Sequence, residues 1–124
     1  MAKTKIAVLI SGRGSNMQAL LDAAKDEDFP AEIVLVASNR PDAAGLAVAE
    51  AAGIATEVID HHDYEGREAF EEALDSTLKM YGPRIVCLAG FMRILTPWFT
   101  ERWRDLLINI HPSLLPAFKG LHTH

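Results

Sequence analysis

Short apolar runs alternate along this chain with stretches in which apolar positions recur at helical spacing. Residues 5–10 are an apolar run ending in Ser11-Gly12-Arg13-Gly14-Ser15-Asn16. Met17, Leu20, Leu21 and Ala24 then follow at i, i+3, i+4 and i+7. This predicts a strand, a tight loop and an amphipathic helix with Ser15 or Asn16 as its N-cap. Residues 33–37 form a continuous β-branched run, read as a strand buried on both faces. Pro41 is placed in the first turn of an Ala-rich helix over 43–52 that Gly53 closes, and 56–59 is a short third strand. Phe70, Ala73, Leu74, Thr77 and Leu78 make one stripe of a longer helix running to about Met80, broken by Gly82-Pro83. A fourth strand is predicted over 84–89. Thr96-Pro97 opens a short helix to about Trp103, and a fifth strand over 106–110 stops at Pro112. Strand and helix alternate through short connections, which implies right-handed crossovers and helices on both faces of the sheet. The expected fold class is α/β, doubly wound and Rossmann-like, with a mostly parallel sheet.

In such a sheet ligands sit outside the carboxyl ends of the strands, where the strand order reverses. With the order 3-2-1-4-5 the crevice lies between the first and fourth strands, and residues 11–16, 90–95 and 109–113 converge on it. Gly12 and Gly14 allow a sharp turn and close backbone approach, and the N–H groups of Gly14, Ser15 and Asn16 at a helix start favour an anion. The same glycines serve equally well as makers of a tight turn. A dinucleotide fingerprint would need a third glycine where Met17 stands and an acid after the second strand, where Ser38-Asn39-Arg40 stand. A Walker A loop is missing its spacing and its Lys. Gly90-Phe91-Met92-Arg93-Ile94-Leu95 has no helical or strand period. It can wall a flat aromatic ligand, with Arg93 answering an anionic end, or simply plug the sheet edge. Asn109 and His111 are two apart in the last strand and share a face, with Pro112 locking the turn. An amide there can donate to a developing oxyanion and an imidazole can shuttle a proton, so this pair is the leading catalytic candidate.

Composition narrows the field further. A length of 124 residues fits one domain, and 49% hydrophobic content excludes intrinsic disorder. A net charge of −5 argues against a nucleic-acid surface. The longest apolar runs fall far short of the ~20 residues of a membrane span, and no secretory signal precedes Ser11, so a cytoplasmic setting is expected. The single cysteine, Cys87, reads as a buried, inert thiol. His61-His62 reads as surface loop, Arg67 as the start of the third helix, and Trp98 and Trp103 as packing. No Cys or carboxylate accompanies His122 and His124 to make a metal site.

Together, Ser11-Gly12-x-Gly14-Ser15-Asn16, the 90–95 segment, Asn109-Ile110-His111-Pro112-Ser113-Leu114-Leu115-Pro116 and Gly120-Leu121-His122-Thr123-His124 closely resemble the folate-dependent formyltransferases. The glycine loop and the Gly-Leu-His-Thr-His segment resemble the phosphoribosylglycinamide branch of that family. The resemblance implies transfer of a formyl group from the co-substrate 10-formyltetrahydrofolate to the amine of glycinamide ribonucleotide in purine synthesis. It implies neither a metal nor a nucleic-acid or membrane partner, and it leaves the oligomeric state open. It assigns Gly14, Ser15 and Asn16 to the ribose phosphate, and Met92, Arg93, Ile94 and Leu95 to the folate pocket. Arg67, with Arg93, meets the folate carboxylates. Asn109 holds the formyl oxygen and His111 is the proton donor and shuttle. Methionyl-tRNA formyltransferase and formyltetrahydrofolate hydrolase share the Asn-x-His-Pro-Ser core and are the alternative enzymes; a non-catalytic phosphate-binding fragment is the alternative outside catalysis. The family also carries a catalytic Asp downstream of Gly-Leu-His-Thr-His, and nothing follows His124. Residues 1–124 are therefore expected to be the N-terminal nucleotide-binding part of the domain, without its C-terminal strands and helix.

Overall fold

A computed structural model describes residues 3–110. It contains β1 (Thr4–Ile10), α1 (Ser15–Ala24), β2 (Ala31–Ser38), α2 (Ala44–Ala51), β3 (Thr56–Val58), a 3-10 turn (His61–Asp63), α3 (Gly66–Tyr81), β4 (Ile85–Leu88), α4 (Pro97–Arg102) and β5 (Leu107–Asn109). The strands form one parallel sheet in the order β3-β2-β1-β4-β5, so the order in which strands are added reverses after β3 and the switch point lies between β1 and β4. The predicted fold class is observed, and the strand order is the one on which the location of the crevice was conditional.

Side chains alternate across the sheet, and each face has its own core. Ile6, Val8 and Ile10 of β1 point to one side with Val36 and Cys87, under Met17, Leu20 and Leu21 of α1 and Leu46 and Ala49 of α2. Ala7 and Leu9 point to the other side with Leu35, Ala37 and Val86, against Phe70, Leu74 and Leu78 of α3 and Phe99 and Trp103. A strand covered on both faces has no polar face, which is why β1 reads as an unbroken apolar run. Burial pushes the Cys87 thiol up to about 11, in keeping with an inert role.

Local details differ from the sequence reading. Gly14 is the N-cap of α1, in the left-handed region at φ 79°, and no side chain caps that helix. Ser15 is its first residue. Pro41 lies in the turn ahead of α2, whose N-cap is Ala43. α2 starts late because Gly45 is drawn to the glycine loop: its N–H donates to the Gly12 carbonyl at 3.1 Å, and a Cβ at Gly45 would sit 3.2 Å from Gly14 Cα. Gly53 does follow α2 in the left-handed region (φ 78°).

The buried face of α3 is wider than its apolar stripe, because α4 covers it as well as the sheet. Glu71 and Asp75 are both buried there. Trp103 Nε1 donates to Asp75 at 2.9 Å, and Arg102 donates at 3.0 and 3.2 Å. Lys79 approaches the same carboxylate at 3.1 Å. Arg102 also lies 4.7 Å over the Trp98 ring, so Trp103 packs inside while Trp98 stays half-exposed. Burial alone would raise the Asp75 carboxyl; the donors from Arg102, Trp103 and Lys79 outweigh it and hold the group below its ordinary 3.8.

Asp75→Ala should therefore cost about 1–3 kcal/mol, mainly because the buried Trp103 N–H loses its acceptor. A depressed carboxyl stabilises the fold at neutral pH, and that contribution disappears as pH falls through the folded-state value. The stability gap between wild type and Asp75→Asn should accordingly narrow in acid. Urea titrations at neutral pH and near pH 3 check this; a pH-independent gap would contradict it.

Candidate functional site

The carboxyl ends of β1, β2 and β4 border a cavity of about 420 Å³. Its lining includes Ser11, the 12–16 loop, Arg40, Gly90 and Met92. Gly14 directs the chain into α1, and Gln18 N closes the first helical hydrogen bond on the Gly14 carbonyl at 2.7 Å. The Ser15 and Asn16 side chains do not cap the helix, so its first-turn N–H groups are left for an outside acceptor. The Asn16 side chain instead donates to the Ile110 carbonyl at 3.2 Å, tying the start of α1 to the end of β5.

Gly14, Ser15, Asn16 and Met92 thus meet at one cavity, and Asn109 is adjacent in sequence to the carbonyl that Asn16 holds. Asn109 is exposed at the end of β5, where the sequence pattern placed it in a buried strand. Among the described residues β5 pairs only with β4, so it is the outer strand here. His111 lies outside the described residues, as do His122 and His124. The remaining expected folate-binding residues fall on the α3 side of the sheet. Arg67 is exposed in the first turn of α3, and Arg93 lies 6.0 Å over the ring of Phe70, one turn further along that helix. Ile94 is exposed, while Leu95 packs against the α3–α4 core.

Polar residues not singled out from the sequence shape the site. Ser11, buried at the end of β1, donates its hydroxyl to Asn39 Oδ1 and accepts the Met92 N–H at 2.7 Å. Asn39 is also buried, and its Nδ2 lies 3.2 Å from His61 Nδ1. Glu71 accepts the Thr96 N–H at 2.7 Å and the Thr96 hydroxyl. Thr96 is the N-cap of α4 as expected, but its side chain serves Glu71 and not its own helix. Arg13 and Arg40 bring two cations to the cavity rim. For Ser11, Arg13, Asn39 and Arg40 the available signal was positional, since each lies in the loop at a strand's carboxyl end; Glu71, inside α3, gave none.

His61 and His62 form part of the 3-10 turn and, with Asp60, offer three potential metal-ligand atoms within 4.8 Å. The two ring centroids lie 4.1 Å apart with the planes tilted by 36°. Their Nδ1 atoms are already engaged, His61 with Asn39 and His62 with Asp60. This is the geometry of a turn tied to the β2 end, and a poor chelate.

A doubly wound parallel sheet, with a glycine loop feeding a helix start at the switch point and a second loop facing it, is the arrangement in which folds of this class place a ligand site. Residues 4–124 match the formyl transferase family, and the chain belongs to it. It is 50% identical to the phosphoribosylglycinamide formyltransferase of Escherichia coli (strain K12) over 119 residues, covering 96% of this chain and 56% of that protein. It is 52% identical to the trifunctional purine biosynthetic protein adenosine-3 of Bos taurus over 122 residues, 98% of this chain but 12% of that one. The crystal structure of phosphoribosylglycinamide formyltransferase from Brucella melitensis superposes with a TM-score of 0.86 at 50% identity, covering 99% of this chain and 64% of that chain. The chain therefore spans a little over half of these bacterial relatives and a small part of the trifunctional one. Among the described residues, no helix is long and apolar enough to cross a membrane.

Proposed function

We propose that this chain forms the nucleotide-binding part of a cytoplasmic phosphoribosylglycinamide formyltransferase, which moves the formyl group of 10-formyltetrahydrofolate to the amine of glycinamide ribonucleotide. The observation that carries the reading is the cavity where an uncapped helix start meets the Met92 loop, with Asn16 fastening that helix start to the end of the strand that bears Asn109. Relatives of that name at 50% identity support it.

In this reading the N–H groups of Gly14, Ser15 and Asn16 hold the ribose phosphate. Met92, Arg93, Ile94 and Leu95 form the wall for the pterin, with backbone groups at its polar edge. Arg67 and Arg93 meet the folate carboxylates, on the flank where Arg93 lies over Phe70 of α3. The substrate amine attacks the formyl carbon, Asn109 donates to the oxygen as it gains charge, and His111 carries the proton to the leaving tetrahydrofolate nitrogen.

The test offers the complete gene product 10-formyltetrahydrofolate with glycinamide ribonucleotide, initiator methionyl-tRNA or water as acceptor. Formylation of the ribonucleotide alone is the expected result. Formylated tRNA or net hydrolysis would move the chain to another branch of the family, and ribonucleotide binding without turnover would leave a non-catalytic module.

A further inference from the structure

We infer that Ser11 is a positioning residue of this site: its hydroxyl pins the 90–95 loop to the glycine loop and so presents a preformed wall to the folate. The inference rests on the function proposed above. The direction of each bond follows from donor chemistry. The Met92 N–H can only donate, so the Ser11 oxygen accepts it, at 2.7 Å, and the one hydroxyl proton goes to Asn39 Oδ1. That fixes which way the Asn39 amide faces, turning Nδ2 toward His61 Nδ1 at 3.2 Å. Ser11 and Asn39 are 4% and 2% exposed, so water is a poor substitute partner and each lost bond leaves a buried polar group unsatisfied.

The loop is held at its far end as well, where Glu71, 1% exposed, takes both donors of Thr96. Between these two anchors Met92 and Ile94 stand 80% and 72% exposed. A segment that merely plugged the sheet edge would bury its apolar side chains and leave its backbone to solvent. Here the backbone is tied by buried polar groups, Phe91 and Leu95 pack inward at either end, and Met92 and Ile94 face outward. That is the arrangement of a wall waiting for an apolar ligand face. Because Ser11 directly follows β1 and opens the glycine loop, a single hydroxyl sets the spacing between the two substrate half-sites.

The experiment combines backbone amide exchange with steady-state kinetics in the complete gene product. Ser11→Ala should speed exchange at the Met92 amide at least about tenfold and raise KM for 10-formyltetrahydrofolate about 3–10-fold, the effect of one lost hydrogen bond. KM for glycinamide ribonucleotide should stay within about twofold, and Ser11→Thr, which keeps the hydroxyl, should restore most of the loss. Unchanged exchange at Met92 overturns the anchor. Faster exchange with unchanged KM values, or an equal rise in both, overturns the positioning role. Should Ser11→Ala fail to fold, Ser11→Cys keeps a weaker acceptor and carries the same test with smaller shifts. The exchange measurement decides the anchor even if the wild-type protein transfers no formyl group, so failure of the proposed function and failure of this inference are separately visible.

Discussion

Asn109→Ala in the complete gene product should lower kcat for formyl transfer by about 10²–10³-fold while moving both KM values little. The size comes from when the amide acts. A carbonyl oxygen in the bound substrate needs little from Asn109, but the oxyanion formed on attack needs a donor already in place, so the loss appears in kcat. Stability should not confuse the result. Asn109 is exposed at the end of β5 and its side chain has no hydrogen-bond partner among the described residues, so truncation should shift stability by no more than about 0.5 kcal/mol. His111→Ala is expected to cost as much. The double variant should lose much less than the product of the two, because residues that act as a unit are not additive. Single-turnover rates and urea midpoints on the same preparations check all of this. An Asn109→Ala enzyme with kcat within threefold of wild type would remove the amide from the chemistry.

What the sequence made legible here was the alternation of elements. The strands were readable as short apolar runs, α1 and α3 from helical spacing, and α2 and α4 from the Pro and Gly residues at their ends. The misplacements share a physical cause: tertiary contacts override local preference. Ser15 is a good N-cap by composition, yet Gly14 takes that place because the turn needs φ 79°. Pro41 suits a helix start, yet α2 begins three residues later, where Gly45 can reach Gly12. The site divides in the same way. Glycines and the Asn109–His111 spacing are visible because they are unusual for a buried strand or a loop. Ser11, Asn39 and Glu71 are ordinary residues in sequence; only the chain's return across 25 to 81 positions gives them partners. The exposure of Asn109 was hidden for the opposite reason, since no local pattern says which strand is outermost.

The largest structural effect is expected at Gly14. Its φ of 79° lies where a side chain is strained, at a cost of about 1–3 kcal/mol for a non-glycine residue, and more for a β-branched one. Space is also lacking: a Cβ would lie 3.0 Å from Gly45 Cα and 3.1 Å from Met17 Cε. The methionine end can swing aside, but the Gly45 contact is backbone on backbone, and overpacking of that kind costs about 1–3 kcal/mol more. Relief requires α2 to back away from α1, which breaks the Gly45 N–H bond to Gly12 and reshapes the loop proposed to hold the phosphate. Gly14→Val should therefore lose about 2–6 kcal/mol, a large part of the stability of a domain this size. Gly14→Ala should lose less but still weaken glycinamide ribonucleotide binding at least about tenfold. Gly12→Ala provides the comparison within the same loop, because a Cβ there meets nothing within 4 Å and stability should hardly change. Urea denaturation with and without the ribonucleotide separates the two effects: the ligand should raise the midpoint of the wild type but add little to Gly14→Ala. If Gly14→Val unfolds within 1 kcal/mol of wild type, the close approach of α1 and α2 is not what shapes this loop.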